Sequence, residues 1–305
     1  MFDVCVANYR QNQPSANADT WKVIETEFNA TQLHEQETAF TLGNGYLGTR
    51  GTFEEGYPQN CPSTMICGIY DDVPFVNCPN WLPLVVTVAG DRFSLDSGEI
   101  VKYQRRLDLR LGLTSRDVRW RSPAGSTLDF HFERFSSLAD QHISAIRCHI
   151  TSIDFEGEIT VEVGFDAQPD TQGVRHWRTL NQGGIEQIIW LQCRTIHSGI
   201  QLGMAAKLVV DGDETAPICV ENTSESATLV TTFESFPGKT VAVEKIVTLF
   251  TSQDTEIPIA AALQMLADEP RYSSLLANHI TAAMNSQQAD KLVIPACELD
   301  SAERF

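Results

Sequence analysis

From about residue 82 to 250 the chain repeats one pattern. Short runs rich in Val, Ile, Thr and Phe are separated by clusters of Gly, Pro, Asp or Asn. Segments 82–88, 127–135, 142–150, 158–165, 186–196, 202–210, 227–233 and 240–250 read as β-strands. Leu128, Phe130 and Phe132 alternate with polar neighbours, and so do Val161, Val163 and Phe165. Period two is the signature of a strand with one face against a core. Ala89-Gly90-Asp91, Pro123-Ala124-Gly125 and Asp211-Gly212-Asp213 supply turn residues that tolerate positive φ. This spacing predicts a mainly β fold, a large antiparallel sandwich rather than a parallel α/β sheet. No short repeat suggests a propeller or a solenoid.

After residue 252 the period changes. Pro258 opens a stretch in which Ile259, Leu263 and Leu266 share one helical face, and Pro270 ends it. Tyr272, Leu276, His279 and Ala283 form a second stripe. Two helices that each carry one apolar stripe need a partner: each other, the sandwich, or a further domain. The chain thus divides into a β domain over 1–252 and a helical segment over 253–305.

Composition narrows the range of partners. Of 305 residues, 22 are Lys or Arg and 40 are Asp or Glu, a formal charge of −18. The one basic density, Arg105, Arg106, Arg110, Arg116, Arg119 and Arg121, is interleaved with Asp108 and Asp117. Neither nucleic acid nor an anionic membrane is an expected partner. No run approaches the roughly 20 apolar residues that span a bilayer, and the N-terminus lacks the pattern of an export signal. The eight cysteines (5, 61, 67, 78, 148, 193, 219 and 297) form no CxxC. They read as free thiols of a cytoplasmic protein, with no metal site and no cofactor expected.

Residues 37–58, ETAFTLGNGYLGTRGTFEEGYP, place Gly43, Gly45, Gly48, Gly51 and Gly56 among aromatic and apolar residues. There is no GxGxxG and no Walker sequence, so a tight, irregular strand pair is a better reading than a phosphate cradle. Arg50, close to Glu54 and Glu55, suggests a buried or interfacial ion pair rather than catalysis. Glycosidic chemistry needs two carboxylates opposed across a substrate. Glu54/Glu55 and Asp71/Asp72 are adjacent pairs, and neighbours on a strand point to opposite faces. A G-x-S-x-G elbow is absent. Trp81 and Trp177 stand in loop contexts, where they suit either sugar stacking or a lid on the core.

The segment WKVIETEFNATQLHEQETAFTLGNGYLGTRGTFEEG resembles the N-terminal signature of glycoside hydrolase family 65, which includes maltose, trehalose and kojibiose phosphorylases and acid trehalase. RRLDLRLGLTSRDVRWRSPAGSTLDFHFERFSSLADQHISAIRCHIT and EKIVTLFTSQD are similar to two later blocks of the family, in the right order. The resemblance implies a β-supersandwich like that of galactose mutarotase, then a two-helix linker and an (α/α)6 barrel. That barrel carries the general acid and the groups that bind glucose and phosphate. No catalytic residue is therefore expected in this chain. Asn44, Tyr46, Arg50 and Glu54 fall in a loop expected to face the barrel or an interface. The implied partners are the barrel, a second copy of the chain in a homodimer and, for the whole enzyme, a glucose disaccharide with inorganic phosphate. A stand-alone carbohydrate-binding module using Trp81 or Trp177, or an aldose epimerase built on His131, His142, His149 or His176, are the alternatives. Without a barrel the linker stripes are expected to be partly exposed and to drive self-association.

Overall fold

A computed structural model describes residues 21–167, 173–213, 215–222, 227–267 and 271–292. Cys5, Pro270, Cys297 and the DSAERF end lie outside these residues. Elements are numbered in chain order.

The larger sheet has nine antiparallel strands. In spatial order they are β1 (Lys22–Glu25), β7 (Glu99–Asp108), β8 (Leu113–Arg121), β9 (Thr127–Ser136), β10 (Ile143–Ser152), β17 (Thr240–Thr251), β14 (Gln201–Asp211), β13 (Ile188–Thr195) and β12 (Trp177–Ile185). Facing it is a five-stranded sheet ordered β15 (Ile218–Asn222), β16 (Ala227–Ser235), β11 (Gly157–Gly164), β5 (Leu84–Val88) and β6 (Asp91–Arg92). A small third sheet joins β2 (Leu42–Gly43), β3 (Leu47–Thr49) and β4 (Thr64–Ile66). The fold is mainly β and sandwich-like, followed by helices.

All eight strands expected between 82 and 250 form, with every end within two residues of the expected position. Phe130, Phe132, Ile146 and Cys148 from the larger sheet meet Val86, Ile159, Val161, Leu229 and Phe233 from the smaller one in a single core. Ala89 and Gly90 both take positive φ in the turn that pairs Val88 with Asp91, as a two-residue hairpin requires. Lys245 crosses between the sheets. Its Nζ donates to the carbonyls of Trp81, Pro83 and Gly164 at 2.6, 3.0 and 2.7 Å, while burial pulls its pKa well down.

Strand β17 lacks the alternation of β9 because both its faces are covered. Val243, Val247 and Leu249 point into the sandwich. Ile246, with Ile143 and Ala205, meets the first helix of the C-terminal segment. That helix, α2 (Pro258–Ala267), buries Pro258, Ala262 and Leu266. It approaches so closely because β14 offers Gly203, where a Cβ would lie 2.3 Å from the Ile259 nitrogen. The next helix, α3 (Tyr272–Leu292), sets Tyr272 against Phe135 and Ala145, and its His279 ring stacks on Phe135 at 4.6 Å. The outer face of the nine-stranded sheet therefore covers both stripes: Leu266, Tyr272 and His279 are fully buried and Ile259 and Leu276 are half-buried. The sandwich supplies the apolar partner of the buried part of each stripe, while Ile259, Leu263 and Leu276 stay partly exposed, as expected.

Candidate functional site

The glycine-rich segment folds over one corner of the sandwich. Its preceding helix, α1 (Leu33–Ala39), ends before β2, and β2 and β3 pair through Leu42–Thr49 and Gly43–Gly48. Gly51 is the tightest point: an added Cβ would lie 2.5 Å from the Phe40 Cβ and 2.7 Å from its carbonyl carbon. Only glycine lets these two stretches of backbone approach so closely.

Beneath this cover, the inward alternation of β7, β8 and β9 places Arg105, Arg116 and Arg134 side by side, all at least 97% buried. Arg116 donates to both oxygens of Glu55, at 2.6 and 2.5 Å, and to Glu54 Oε2 at 3.0 Å. Arg134 donates to Glu54 Oε1 at 2.8 Å and to the Thr52 carbonyl at 3.1 Å. Arg105 donates to the Gly51 carbonyl at 2.6 Å. Aromatic rings take the flat faces of the guanidiniums: Phe40 lies 4.3 Å from Arg105, and Phe132 lies 4.4 Å from Arg116.

The electrostatics follow from this crowding. Burial alone would raise the Glu54 pKa, but Arg134 and Arg116 outweigh it and hold the carboxyl below its usual range. Burial lowers Arg134 to about 10, against the attraction of Glu54. Arg116 stays a firm cation because Glu55 overrides its desolvation. Nearby, burial raises the Glu25 pKa, opposed by the hydroxyl of Tyr103, which donates at 2.7 Å. A small cavity lined by Glu54, Arg105, Thr114, Arg116, Phe132 and Arg134 lies within the cluster. The carboxylates of Glu54 and Glu55 are committed to guanidiniums rather than opposed across open space. The cluster locks the segment in place; it does not offer an acid and a base to a sugar.

Two sequence expectations change here. Arg50 does not reach Glu54 or Glu55: its Nε lies 3.3 Å from Glu37 Oε2 and its Nη2 donates to the His34 carbonyl at 2.7 Å. The cations that pair with the glutamates come instead from the basic density at 105–121 and from β9. Glu54 and Glu55 also do not diverge. They sit in a turn, not a strand, so both reach the same guanidinium. Of the other adjacent pair, Asp71 is buried and Asp72 exposed. The remaining arginines of the basic density face outward, where Arg119 meets Asp129 at 2.7 Å and Arg121 meets Glu99 at 2.6 Å.

Asn44 and Tyr46 tie the segment to both ends of the fold. The Asn44 amide donates to the carbonyls of Ser137 and Gln141 at 2.9 and 3.0 Å, and its Oδ1 accepts from the Tyr46 and Leu47 amides. The Tyr46 hydroxyl donates to Asp254 Oδ2 at 2.5 Å, just where the chain leaves β17 for α2. Burial and the Asp254 carboxylate raise the Tyr46 pKa, so the phenol stays protonated. Asn44, Tyr46 and Glu54 are thus anchors within the domain.

The tryptophans divide differently. Trp81 is 0% exposed and donates its indole N–H to Thr49 Oγ1 at 2.9 Å. The stacking-platform expectation fails at Trp81 because both ring faces are in the core. Trp177 opens β12 half-buried and donates to the Asn77 carbonyl at 2.8 Å. Close by, Asp71 accepts from the backbone amides of His197 and Ser198, at 2.7 and 2.8 Å, and lies 3.0 Å from His176 Nδ1. Sequence reasoning missed this node, since nothing local marks Asp71 as buried. Of the histidines considered for an epimerase, His131 and His149 are cross-strand neighbours with ring centroids 6.0 Å apart, while His142 and His176 have other partners. His131 meets Asp117 on the outer sheet face at 2.7 Å, His142 stacks on Phe250 at 3.9 Å, and His176 sits on Asp71. No histidine lines the cavity at the Arg116 cluster.

This arrangement is that of a β domain whose buried Arg105, Arg116 and Arg134 bind its own cover segment. Residues 23–285 match the family description "Glycosyl hydrolase family 65, N-terminal domain", and the chain belongs to that family. It is 30% identical over 285 residues to a kojibiose phosphorylase of Halothermothrix orenii, covering 85% of this chain and 36% of that protein. It is 27% identical to an alpha,alpha-trehalose phosphorylase of Thermoanaerobacter brockii, covering 80% of this chain and 36% of that protein. Among solved structures, a putative kojibiose phosphorylase from the human microbiome superposes with a TM-score of 0.78 at 19% identity, over 88% of this chain and 38% of that one. The chain thus spans about a third of the length of these curated relatives. Among the described residues, no helix is long and apolar enough to cross a membrane.

Proposed function

We propose that this chain is the supporting, non-catalytic domain of a family 65 disaccharide phosphorylase, with a β domain up to about residue 252 and a helical linker beyond it. The carrying observation is the continuous family match over residues 23–285, together with Glu54 and Glu55 already paired with buried guanidiniums. The whole enzyme would act on an α-linked glucose disaccharide. A glutamic acid in an (α/α)6 barrel protonates the glycosidic oxygen while phosphate attacks the anomeric carbon from the opposite face. The C–O bond to the leaving glucose breaks, a new C–O bond to phosphate forms with inversion, and β-glucose 1-phosphate and glucose result.

In this reading the domain buttresses the barrel, contributes to a homodimer and works in the cytoplasm. The test incubates the 305-residue chain, and the same chain continued into a family 65 barrel, with kojibiose, trehalose and maltose plus phosphate. Release of glucose 1-phosphate by the continued chain only is the expected result. Turnover by the 305 residues alone would overturn the supporting role. Sedimentation equilibrium of the continued chain tests the homodimer, and a strict monomer would remove it.

A further inference from the structure

We propose that His34, Glu37 and Cys61 form a thiolate-containing site for a zinc-class divalent cation at the edge of the glycine-rich cover. The imidazole, carboxylate and thiol ligand atoms lie within 4.8 Å of one another. His34 and Glu37 stand three residues apart on α1, so they share a helix face, with His34 Nδ1 3.5 Å from Glu37 Oε2. Cys61 comes from the loop before β4, and its backbone N–H donates to the same Oε2 at 3.3 Å.

A second, independent observation marks the site. Glu37 is 0% exposed, and its Oε1 is buried without a hydrogen-bond partner. A buried carboxylate oxygen left bare costs free energy unless something electropositive reaches it. Arg50 Nε lies 3.3 Å from Oε2 and so leaves the other oxygen open. A guanidinium on one carboxylate oxygen is also how outer-shell groups orient a metal-bound carboxylate.

The reach is short. Tetrahedral zinc at roughly 2.0 Å from nitrogen and oxygen and 2.3 Å from sulfur sets ligand atoms about 3.3–3.8 Å apart. His34 and Cys61 are exposed, so small rotations close the gap while Glu37 stays fixed by its neighbours. Water completes the fourth position. Binding converts the Cys61 thiol to a thiolate: the S–H proton passes to solvent, the sulfur lone pair forms the bond to the metal, and nothing is oxidised or reduced. Hard cations such as magnesium do not favour a sulfur ligand. The occupied site would staple α1 to the 59–63 loop and hold the cover over the Arg116 cluster.

The test uses the full chain without an affinity tag, with Cys5, Cys67, Cys219 and Cys297 replaced by serine so that Cys61 is the accessible thiol. Titration with Co²⁺ is expected to give a thiolate-to-cobalt charge-transfer band that saturates at one equivalent, and Zn²⁺ should abolish it. Cys61→Ser should remove the band, and His34→Ala should weaken binding at least tenfold. Zn²⁺ should raise the thermal midpoint of the parent and leave that of Cys61→Ser unchanged. Absence of the band, or equal affinity in His34→Ala and the parent, would overturn the proposal. Both variants change exposed side chains, so each should fold. Neither outcome bears on phosphorolysis, which the barrel assay decides separately.

Discussion

Arg134 on β9 donates to Glu54 Oε1 at 2.8 Å, although the two residues stand 80 positions apart in the chain. This bond and the Arg116–Glu55 pair hold the glycine-rich cover on the sheet. Breaking one partner of a buried pair leaves an uncompensated charge, at a cost of about 3–5 kcal/mol. Arg134→Met should therefore destabilise the domain by that amount in urea unfolding. Adding Glu54→Gln to Arg134→Met should cost less than the sum of the two single changes, because the orphaned charge is removed as well. Strict additivity would show that the pair is not coupled.

The contact between β14 and α2 depends on Gly203. A methyl there meets the Ile259 nitrogen at 2.3 Å and the Pro258 carbonyl carbon at 2.5 Å, both of them backbone that cannot step aside. Gly203→Ala should lift α2 from the sheet and weaken the Thr248 Oγ1 bond to the Ala262 carbonyl, now 2.8 Å. The expected loss is about 1–3 kcal/mol. Gly48→Ala, where nothing lies within 4 Å, should stay within about 0.5 kcal/mol of the parent. Thermal unfolding of the two variants side by side is the measurement.

Asp71 makes the fold acid-sensitive. Burial would raise its pKa, but the Ser198 amide, His176 and the His197 amide together hold it at about 2. Its folded value therefore lies below its unfolded value near 3.8. The stabilisation is complete above about pH 4 and is lost as pH falls toward 2. Asp71→Asn should lower stability at pH 7 by about 1–2 kcal/mol, discounted because the node underlies a solvated loop. The difference from the parent should shrink as pH drops from 4 to 2. A difference that does not change over that range would contradict the account.

Tyr46 and Asp254 fasten the cover to the start of the helical segment. Burial opposes ionisation of Asp254, but hydrogen bonds from Tyr46 and Thr251 keep its pKa below the usual carboxylate value. Tyr46→Phe removes a bond to a charged acceptor, worth about 1.5–3 kcal/mol. Amide exchange at Thr251 and Asp254 should quicken and the Asp254 pKa should rise. Unchanged exchange there would show that the junction holds without the phenol.

Much of this fold was legible in the order of residues. Strands β9 and β11 show period two because one face meets the core and the other meets solvent or a helix. The stripe Tyr272, Leu276, His279 and Ala283 marked the buried side of α3 correctly. Strands β7 and β8 were visible mainly as a basic density. Their inward arginines break the apolar alternation, so the pattern reads as a charged patch until Glu54 and Glu55 arrive to neutralise it. Trp81 misled in the opposite direction: Pro79 and Asn80 give it a loop context, yet a loop can run under a sheet edge.

What the chain's own order determined is local: which residues extend, which coil, where glycine is required, and a family signature between residues 20 and 58. These depend on neighbours within a few positions, through backbone sterics and side-chain period. Partner choice depended on the tertiary structure alone. Arg50 turned to Glu37 and left Glu54 to Arg134, Asp71 found His176, and the helical stripes found the outer sheet face. Arg50 and Glu37 stand thirteen positions apart; the other pairings are set by strand register and close backbone approach over many tens of residues. A charge selects its counter-ion by distance and burial in space, and sequence separation carries neither.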